Sequence, residues 1–331
     1  MQLAGVISFW MKIICKTKKL LNHKKMEFGK LSNIESVDFS LPGDGAGTAR
    51  ALAGSPAAGG SPTFYTGCTG WSMKEWVGKV YPEKTKTSDF LRHYSRQFNT
   101  IELNTTHYRI PDWVTIQKWK TEAADDFRFC PKLPQTISHS NTLGISGGEL
   151  PAFCESIQQL EEKLGCCFMQ LPPYFGVDRI PVIERFIERF PKHIPLALEL
   201  RHESWFGESP ASEALFSLMQ EHRISTVITD VAGRRDVLHM RLTTGTAMVR
   251  FVGNNLHPTD YRRVDDWVSR IGHWFEQGLQ EVFFFTHEPD NLMAPELAFY
   301  VFEQASRIDG VQTRGPKLAG NEPEKGQMSL F

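Results

Sequence analysis

The chain has 331 residues, of which 41% are hydrophobic and 23% are charged, a composition typical of a globular protein with one large or two average domains. Its formal net charge of −1 excludes the global basic field that draws many proteins to nucleic acid, although it is compatible with a local basic patch. The six cysteines form no C-x-x-C motif, and Cys166 and Cys167 are adjacent in an apolar run, which indicates buried thiols in a reducing compartment. We therefore expect a cytoplasmic protein.

The amino-terminal region begins with an apolar run over residues 3–11 that Lys12 interrupts. The run is too short to span a bilayer, and it lacks both the preceding positive charge and the following cleavage site of a signal peptide. Three interpretations stay open: a membrane-surface helix, an extension upstream of a protein that begins at Met26, and a disordered leader.

The two ends of the chain have the composition of linkers. Residues 41–62 are rich in Gly, Ala, Pro and Ser, and the last stretch of the chain is polar. We therefore predict a flexible extension over residues 1–62, a folded domain over residues 63–310 and a flexible tail over residues 311–331.

Within the predicted domain, short apolar or aromatic runs bounded by Gly, Pro or polar residues have the pattern of buried strands. The eight runs begin at Phe64, Thr100, Phe127, Cys166, Leu196, Ser225, Ala247 and Glu281. Between them, apolar residues recur at helical spacing, most clearly over 153–164, which Gly165 closes, over 183–190, which Pro191 stops, and over 264–275, between Asp260 and Gly278. Residues 234–244 predict only a short helix.

Eight strands that alternate with helices in about 250 residues predict a single (β/α)8 TIM barrel, an α/β fold. The alternative is a doubly wound open sheet. No G-x-G-x-x-G or Walker A sequence follows any of the strands, so a nucleotide cofactor is not indicated.

Ionisable and polar side chains follow the second to the eighth run, where each strand is predicted to end. The carboxyl ends of barrel strands form the active face, so these side chains are expected to converge on one cleft. Glu199 and Arg201 are two residues apart on one strand and therefore point the same way. The expected cleft residues are Glu102, Asn104, His107, Lys132, His139, Gln170, Glu199, Arg201, Asp230, Arg250 and His287.

One chemistry compatible with this set needs no metal. Lys132, Arg201 and Arg250 would bind a phosphate or carboxylate, while Glu102 and Glu199 act as general acid and base. Trp71 and Trp205, near strand ends, would stack on a base or a sugar, or else cap the mouth of the barrel.

A second chemistry assigns the catalytic residues Glu102, Glu199, Asp230 and His287 to a divalent metal, as in a hydrolase or a nuclease that acts on DNA lesions. The cations on the same face oppose a metal unless an anionic substrate lies between them. In either chemistry the expected activity is that of a hydrolase or an isomerase.

Five segments resemble, in order, the DUF72 family, also called YecE-like proteins, which are TIM-barrel proteins of unknown function. The segments are GCTGWSMKEWVGKVYP (67–82), FNTIELNTTHYRIP (98–111), FRFCPKLPQTISH (127–139), MQLPP (169–173) and ELRHESW (199–205). The chain departs from the family pattern at Met73, at His107 and over 285–291, which indicates a divergent subgroup. The resemblance implies a TIM barrel and supplies no reaction.

The last five residues, QMSLF, suggest a different class of function. They resemble the peptide that binds the bacterial sliding clamp, with Gln327 followed by a short spacer and the apolar anchors Leu330 and Phe331. On this interpretation the barrel is a tethered enzyme or a non-catalytic adaptor that docks on the clamp.

Overall fold

The structure is a computed structural model that describes residues 29–54, 60–207 and 209–319. Its strands are β1 (Thr63–Gly67), β2 (Thr100–Leu103), β3 (Arg128–Pro131), β4 (Cys167–Gln170), β5 (Leu196–Glu199), β6 (Ser225–Asp230), β7 (Thr246–Val252), β8 (Glu281–His287) and β9 (Gln312–Arg314). Its helices are α1 (Thr48–Ala53), α2 (Phe90–Gln97), α3 (Trp113–Glu122), α4 (Gln135–Ser138), α5 (Glu149–Gln158), α6 (Ile180–Arg189), α7 (Pro210–Glu221), α8 (Pro258–Glu276) and α9 (Ala294–Ala305).

The predicted eight-stranded barrel is confirmed. Seven parallel strands form a sheet in the order β4-β5-β6-β7-β8-β1-β9, and β2 pairs with β3 in parallel. Backbone hydrogen bonds join the two parts, from Glu102 N to Cys68 O (3.0 Å) on one side and from Leu133 N to Phe168 O (2.9 Å) on the other. The first eight strands therefore close in chain order.

Alternation along the strands divides the side chains between the inside of the barrel and the layer under the helices. The interior is filled by a cluster that includes Phe168, Val227, Met248 and Phe283. Ile228, one residue on from Val227, instead packs in the outer layer with residues of α8. Near the carboxyl ends of the strands, the residues whose side chains point inward consequently face a common cleft.

Two predicted helix ends differ in accuracy. Helix α5 ends at Gln158 rather than near residue 164, and Gly165 is not its cap because the Gly165 backbone N–H donates to Phe129 O (2.8 Å) at the start of the next strand. Helix α8 begins as expected, with His257 and Asp260 forming a capping box. Gly278, at a φ of 115°, takes the left-handed conformation that favours glycine after a helix.

Part of the amino-terminal extension packs on the barrel. The chain between β6 and β7 contains a single 3-10 turn, and α1 lies against it: Thr48 Oγ1 donates to Met240 O and accepts from Leu242 N, both at 3.1 Å. Leu52 is 1% exposed. Residues 41–54 therefore differ from the predicted flexible extension, because their few apolar and hydroxyl side chains are enough to cover a site that lacks a long barrel helix.

The packed region also extends past residue 310. Strand β9 pairs with β1, and Arg314 Nη2 donates to Ser95 O (2.9 Å) and Phe98 O (3.0 Å). Leu318 is 7% exposed. The predicted tail from residue 311 thus begins with a segment that is bound to the barrel.

Some predictions for the chain ends lie outside the described residues. These are the apolar run over 3–11, the start at Met26, and the carboxyl-terminal Gln327, Leu330 and Phe331. Within 29–54, 60–207 and 209–319, no helix has both the length and the apolar character needed to cross a membrane.

The cysteines of the described ranges are buried and free, as expected for structural thiols. Burial raises the pKa of Cys68 to about 12, with the Thr286 hydroxyl opposing the shift. Cys167 also lies in the core, where its thiol donates to Pro195 O at 2.9 Å. These thiols stay protonated and act as packing residues.

Candidate functional site

Arg250 on β7 is the centre of the cleft. Its Nε and Nη2 donate to the two oxygens of Glu102 on β2, at 2.9 and 2.8 Å, and its Nη1 donates to Glu199 Oε2 on β5 at 2.8 Å. Glu102 is 0% exposed, Glu199 1% and Arg250 7%. The bidentate geometry uses the planar fork of the guanidinium, which fixes the positions of both carboxylates.

The carboxylates are held in the ionised form. Burial raises the pKa of Glu199, but the charges of Arg201, Arg250 and Lys132 outweigh it and bring the pKa down to about 2. Burial likewise opposes ionisation of Glu102, whose pKa nevertheless lies well below its usual value because of Arg250 and His287. Both groups are therefore carboxylates near neutral pH, which is the form required of a general base and not that of a general acid.

Arg250, which is expected to bind an anion, is paired with two carboxylates in the structure. At least three of its N–H groups are bonded to the two carboxylates, so it positions Glu102 and Glu199 more than it offers a clamp to a substrate. Arg201 Nε donates to Glu199 Oε1, the carboxylate oxygen that Arg250 does not contact. This contact agrees with the expectation that both side chains face inward from the same strand.

Among the cleft cations Lys132, Arg201 and Arg250, Lys132, at the end of β3, has no carboxylate partner in the described part of the chain. Its Nζ donates to Gln170 Oε1 at 2.9 Å and lies 5.9 Å from the centre of the Phe168 ring. Burial, followed by the charge of Arg250, lowers the Lys132 pKa to about 8. The amine therefore titrates near physiological pH, where part of it is neutral.

The charges of this cluster do not cancel. Among the described residues of the cluster, Lys132, Arg201 and Arg250 are three cations and Glu102 and Glu199 are two anions, which leaves an excess of one positive charge. A buried excess charge is costly unless a counterion meets it. The cleft is consequently suited to a small anion.

Two polar side chains complete the ring around Glu102. The Asn104 amide donates to Glu102 Oε1 at 2.9 Å, and His287 Nε2 lies 2.9 Å from Glu102 Oε2. The His287 side chain is 18% exposed. The imidazole therefore connects the buried carboxylate with the open part of the cleft.

His107 and His139 form a second polar group, on the β2 and β3 side of the mouth. His107 Nδ1 lies 2.8 Å from Leu133 O, His139 Nδ1 lies 2.9 Å from Ser138 Oγ, and the two ring centres are 5.8 Å apart. Burial lowers the pKa of His107 to about 4, and burial followed by the charge of Lys132 lowers that of His139. Both rings are accordingly neutral near pH 7.

Asp230 does not join the cleft, contrary to the prediction. It ends β6 with the parity of Ile228 and faces outward, where its carboxylate pairs with Arg235 and Arg263 and accepts from Trp267 Nε1 at 2.8 Å. Its lowered pKa results from those two arginines, which overcome the effect of burial. Asp230 is thus part of an ion-pair network that anchors α8.

This placement divides the four residues expected to bind a metal. Glu102 and His287 are adjacent, Glu199 is on the far side of Arg250, and Asp230 faces the outer layer. In the part of the chain that the structure describes, no group of three or more His, Cys, Asp or Glu side chains has the spacing to hold a metal ion. The donor set expected for a metal is therefore not assembled.

Of the two roles expected for the tryptophans, stacking on substrate or capping the barrel mouth, Trp205 fits the second, while Trp71 is half-buried against other aromatic rings. Trp205 is 0% exposed and its Nε1 donates to Phe175 O at 2.7 Å. Trp71 packs edge-on against Trp119 and Phe129, with ring centres 5.8 and 6.4 Å apart. These contacts stabilise the loops that follow β5 and β1.

The sequence reasoning missed Thr229. It is paired in register with Arg250 and shares the inward parity of Val227. Its Oγ1 is buried, with no hydrogen-bond partner among the described residues. Strict alternation along β6 would have selected Thr229 instead of Asp230 as the residue that faces the cleft.

Comparisons with known proteins agree with this fold. The family model described as "Protein of unknown function DUF72" matches residues 65–319. The chain is 28% identical over 258 residues to the UPF0759 protein YecE of Escherichia coli strain K12, an alignment that covers 72% of this chain and 92% of that protein. It is 29% identical over 207 residues to the UPF0759 protein YunF of Bacillus subtilis strain 168, which covers 58% of this chain and 71% of that protein.

A solved structure is also similar. The crystal structure of a DUF72 family protein from Enterococcus faecalis V583 superposes with a TM-score of 0.61 at 20% identity, covering 74% of this chain and 96% of that chain. At this level of identity the similarity concerns the fold, and it agrees with the barrel described above.

Proposed function

The chain belongs to the DUF72 family, and we propose that its cleft is the active site of an enzyme that acts on a small anionic substrate carrying a phosphate or carboxylate group. The observation that carries the proposal is the buried cluster of three cations and two carboxylates around Arg250, with Lys132 unpaired by any carboxylate of the described residues. The anion of the substrate supplies the missing negative charge. The position at the carboxyl ends of the strands is the one that TIM-barrel enzymes use.

The residues divide into binding, positioning and proton-transfer groups. Lys132 and Arg201 attract the anion, while Arg250 is a positioning residue that holds the buried Glu102 and Glu199 in place. His287, between Glu102 and the open cleft, is the group best placed to move a proton in a hydrolase or isomerase reaction.

Thermal melts test anion binding. Inorganic phosphate and glucose 6-phosphate should raise the Tm of the full-length protein, while glucose and sodium chloride at the same ionic strength should not. The Lys132→Gln variant should lose most of the shift. Lys118→Gln is the matched control, because Lys118 is 57% exposed on α3 and pairs only loosely with Glu122 at 3.8 Å.

Equal shifts in wild type and Lys132→Gln would contradict the proposal, as would a phosphate effect no larger than that of chloride. Turnover of a phosphorylated substrate that is lost in His287→Gln, while the phosphate shift is kept, would assign the proton transfer.

The carboxyl-terminal sequence favours a second, independent role. Gln327, Leu330 and Phe331 have the spacing of a sliding-clamp binding peptide, so the tail would bring the barrel to the clamp. A fluorescent EKGQMSLF peptide titrated with purified clamp should bind, and the doubly substituted Leu330→Ala, Phe331→Ala peptide should not. An affinity that the two substitutions leave unchanged would reject this role.

A further inference from the structure

We propose that Lys132 is a covalent catalytic residue that forms an imine with the carbonyl carbon of an aldehyde or ketone bearing a phosphate or carboxylate group. The inference deepens the proposed function and rests on it, since it names the class of anionic substrate. It follows from the way in which the Lys132 amine is held, compared with the other buried lysine of the barrel.

Lys163 shows how a structural lysine is buried here. It is 5% exposed, and its Nζ donates to Lys120 O at 2.7 Å and to Ala123 O at 2.8 Å, with Asp125 at 3.5 Å. The Lys163 amine thus has two hydrogen bonds to backbone carbonyls and a carboxylate partner.

Lys132 is buried to a similar extent, at 8% exposed, but it is held differently. Within the described residues its Nζ has one hydrogen bond, to the neutral Gln170 amide oxygen, and one side against the Phe168 ring. The nearby Glu102 and Glu199 are already bonded to Arg250. The amine therefore has two donor positions without a hydrogen-bond partner among the described residues.

Burial favours the neutral, nucleophilic form of this amine, although the charges of Glu102 and Glu199 oppose it. Burial, then the positive charge of Arg250, lowers the Lys132 pKa to about 8, from the usual 10.5. At pH 7 the neutral fraction of such an amine is about 300 times that of a lysine at the usual value. Lysines in this state are the ones that react with carbonyl groups.

Two histidines of the cleft are the candidates for the proton transfers. His107 and His139 lie close enough for the Lys132 charge to lower their pKa values. Both are neutral near pH 7, so an imidazole nitrogen is available to accept a proton. The cationic side of the cleft, with Arg201, would hold the phosphate or carboxylate and orient the carbonyl carbon toward Nζ.

The proposed step balances without an oxidant or a reductant. The neutral amine of Lys132 attacks the carbonyl carbon, a C–N bond forms, and one proton passes from the nitrogen to the oxygen to give a carbinolamine. The carbinolamine oxygen then takes a second proton from solvent, the C–O bond breaks, and one water leaves. The products are the protonated imine (iminium) and water, and the iminium group withdraws electrons from the adjacent carbon as a lyase or isomerase reaction requires.

Reductive trapping tests the step on the full chain. The protein is incubated at pH 7 with glyceraldehyde 3-phosphate and sodium cyanoborohydride, and adducts are located by peptide mass spectrometry. We expect labelling of Lys132 at least ten times faster than that of the exposed Lys74, and faster than with glyceraldehyde, which lacks the phosphate. Competing inorganic phosphate should slow it.

The outcomes separate this inference from the proposed function. Lys132→Arg keeps the charge, so it should retain the phosphate shift in Tm while trapping at this position is lost. If wild-type Lys132 is labelled no faster than Lys74 but phosphate still raises the Tm, the imine is wrong and the anion site stands. If neither is observed, both are wrong, and equal labelling by glyceraldehyde would contradict the anionic substrate class.

Discussion

Arg250→Met removes the one side chain that joins both buried carboxylates. Glu102 would keep only Asn104 and His287 as partners, and Glu199 would keep Arg201. The carboxylates cannot move to water, because they are 0% and 1% exposed. The variant therefore leaves uncompensated charge inside the barrel.

The size of the effect follows from the pKa of Glu199. Its fall from 4.5 to about 2 corresponds to about 3 kcal/mol of stabilisation, shared among the surrounding cations, and Glu102 loses its first partner as well. Breaking a buried ion pair from one side costs about 3 to 5 kcal/mol. We expect the free energy of unfolding at pH 7 to decrease by about 4 kcal/mol.

The pH dependence has a definite sign. In wild type, the depressed pKa of Glu199 makes a contribution to stability that is complete above pH 4.5 and is lost as the pH falls through about 2. Without Arg250, burial raises the carboxyl pKa values, and the protonated forms become favourable as the pH falls. The deficit of Arg250→Met should therefore shrink between pH 7 and pH 5.

Urea denaturation followed by tryptophan fluorescence measures both quantities. Arg92→Met is the control, because the Arg92 and Asp89 side chains are 52% and 37% exposed and 4.0 Å apart, and it should change stability by less than about 0.5 kcal/mol. The double variant Arg250→Met, Glu102→Gln should recover part of the loss. A loss in Arg250→Met below about 1 kcal/mol, or one that does not depend on pH, would refute the reasoning.

Three further variants test the roles of Lys132, Asp230 and Leu52. Lys132→Met should raise the free energy of unfolding at pH 7 by about 3 kcal/mol, because it removes a buried cation. The depressed Lys132 pKa of about 8 means that wild type regains this stability as the pH rises from 8 to 10.5, so a difference in stability that persists above pH 10.5 would contradict this cause. Asp230→Asn should lower the free energy of unfolding by about 3 kcal/mol in urea titrations and leave the phosphate-induced shift in Tm unchanged. Loss of that shift would mean that Asp230 contributes to the cleft after all. Leu52→Ala should lower stability by about 3 kcal/mol, since Leu52 is 1% exposed, and an unchanged urea midpoint would mean that α1 adds nothing to the barrel.

The sequence predicts the barrel well because each strand is a short apolar run with a polar end. Those ends correctly identified Glu102, Lys132, Glu199 and Arg250 as neighbours, since the carboxyl ends of barrel strands meet on one face. The prediction that Asp230 faces the cleft was wrong because it used the position of Asp230 at the end of the strand and ignored which face of the strand its side chain occupies. One residue of difference moves a side chain to the opposite face of a strand.

Other features depend on three-dimensional packing that the sequence does not encode locally. The pairing of Arg250 with Glu102 joins residues 148 positions apart, and it depends on the stagger of the closed barrel. The burial that makes Trp205 a packing residue likewise depends on Phe175, from the loop after β4. The packing of 41–54 was missed because its composition is that of a linker, while a few contacts at Asp44, Thr48 and Leu52 fix it.

Isothermal titration of the full-length protein with glucose 6-phosphate tests the anion-binding cleft around Lys132 and Arg250. We predict one site per chain and an affinity that weakens as salt is added. The affinity should fall at least tenfold in Lys132→Gln and stay unchanged in Lys118→Gln. Binding that is absent, or that Lys132→Gln leaves unchanged, would contradict this prediction.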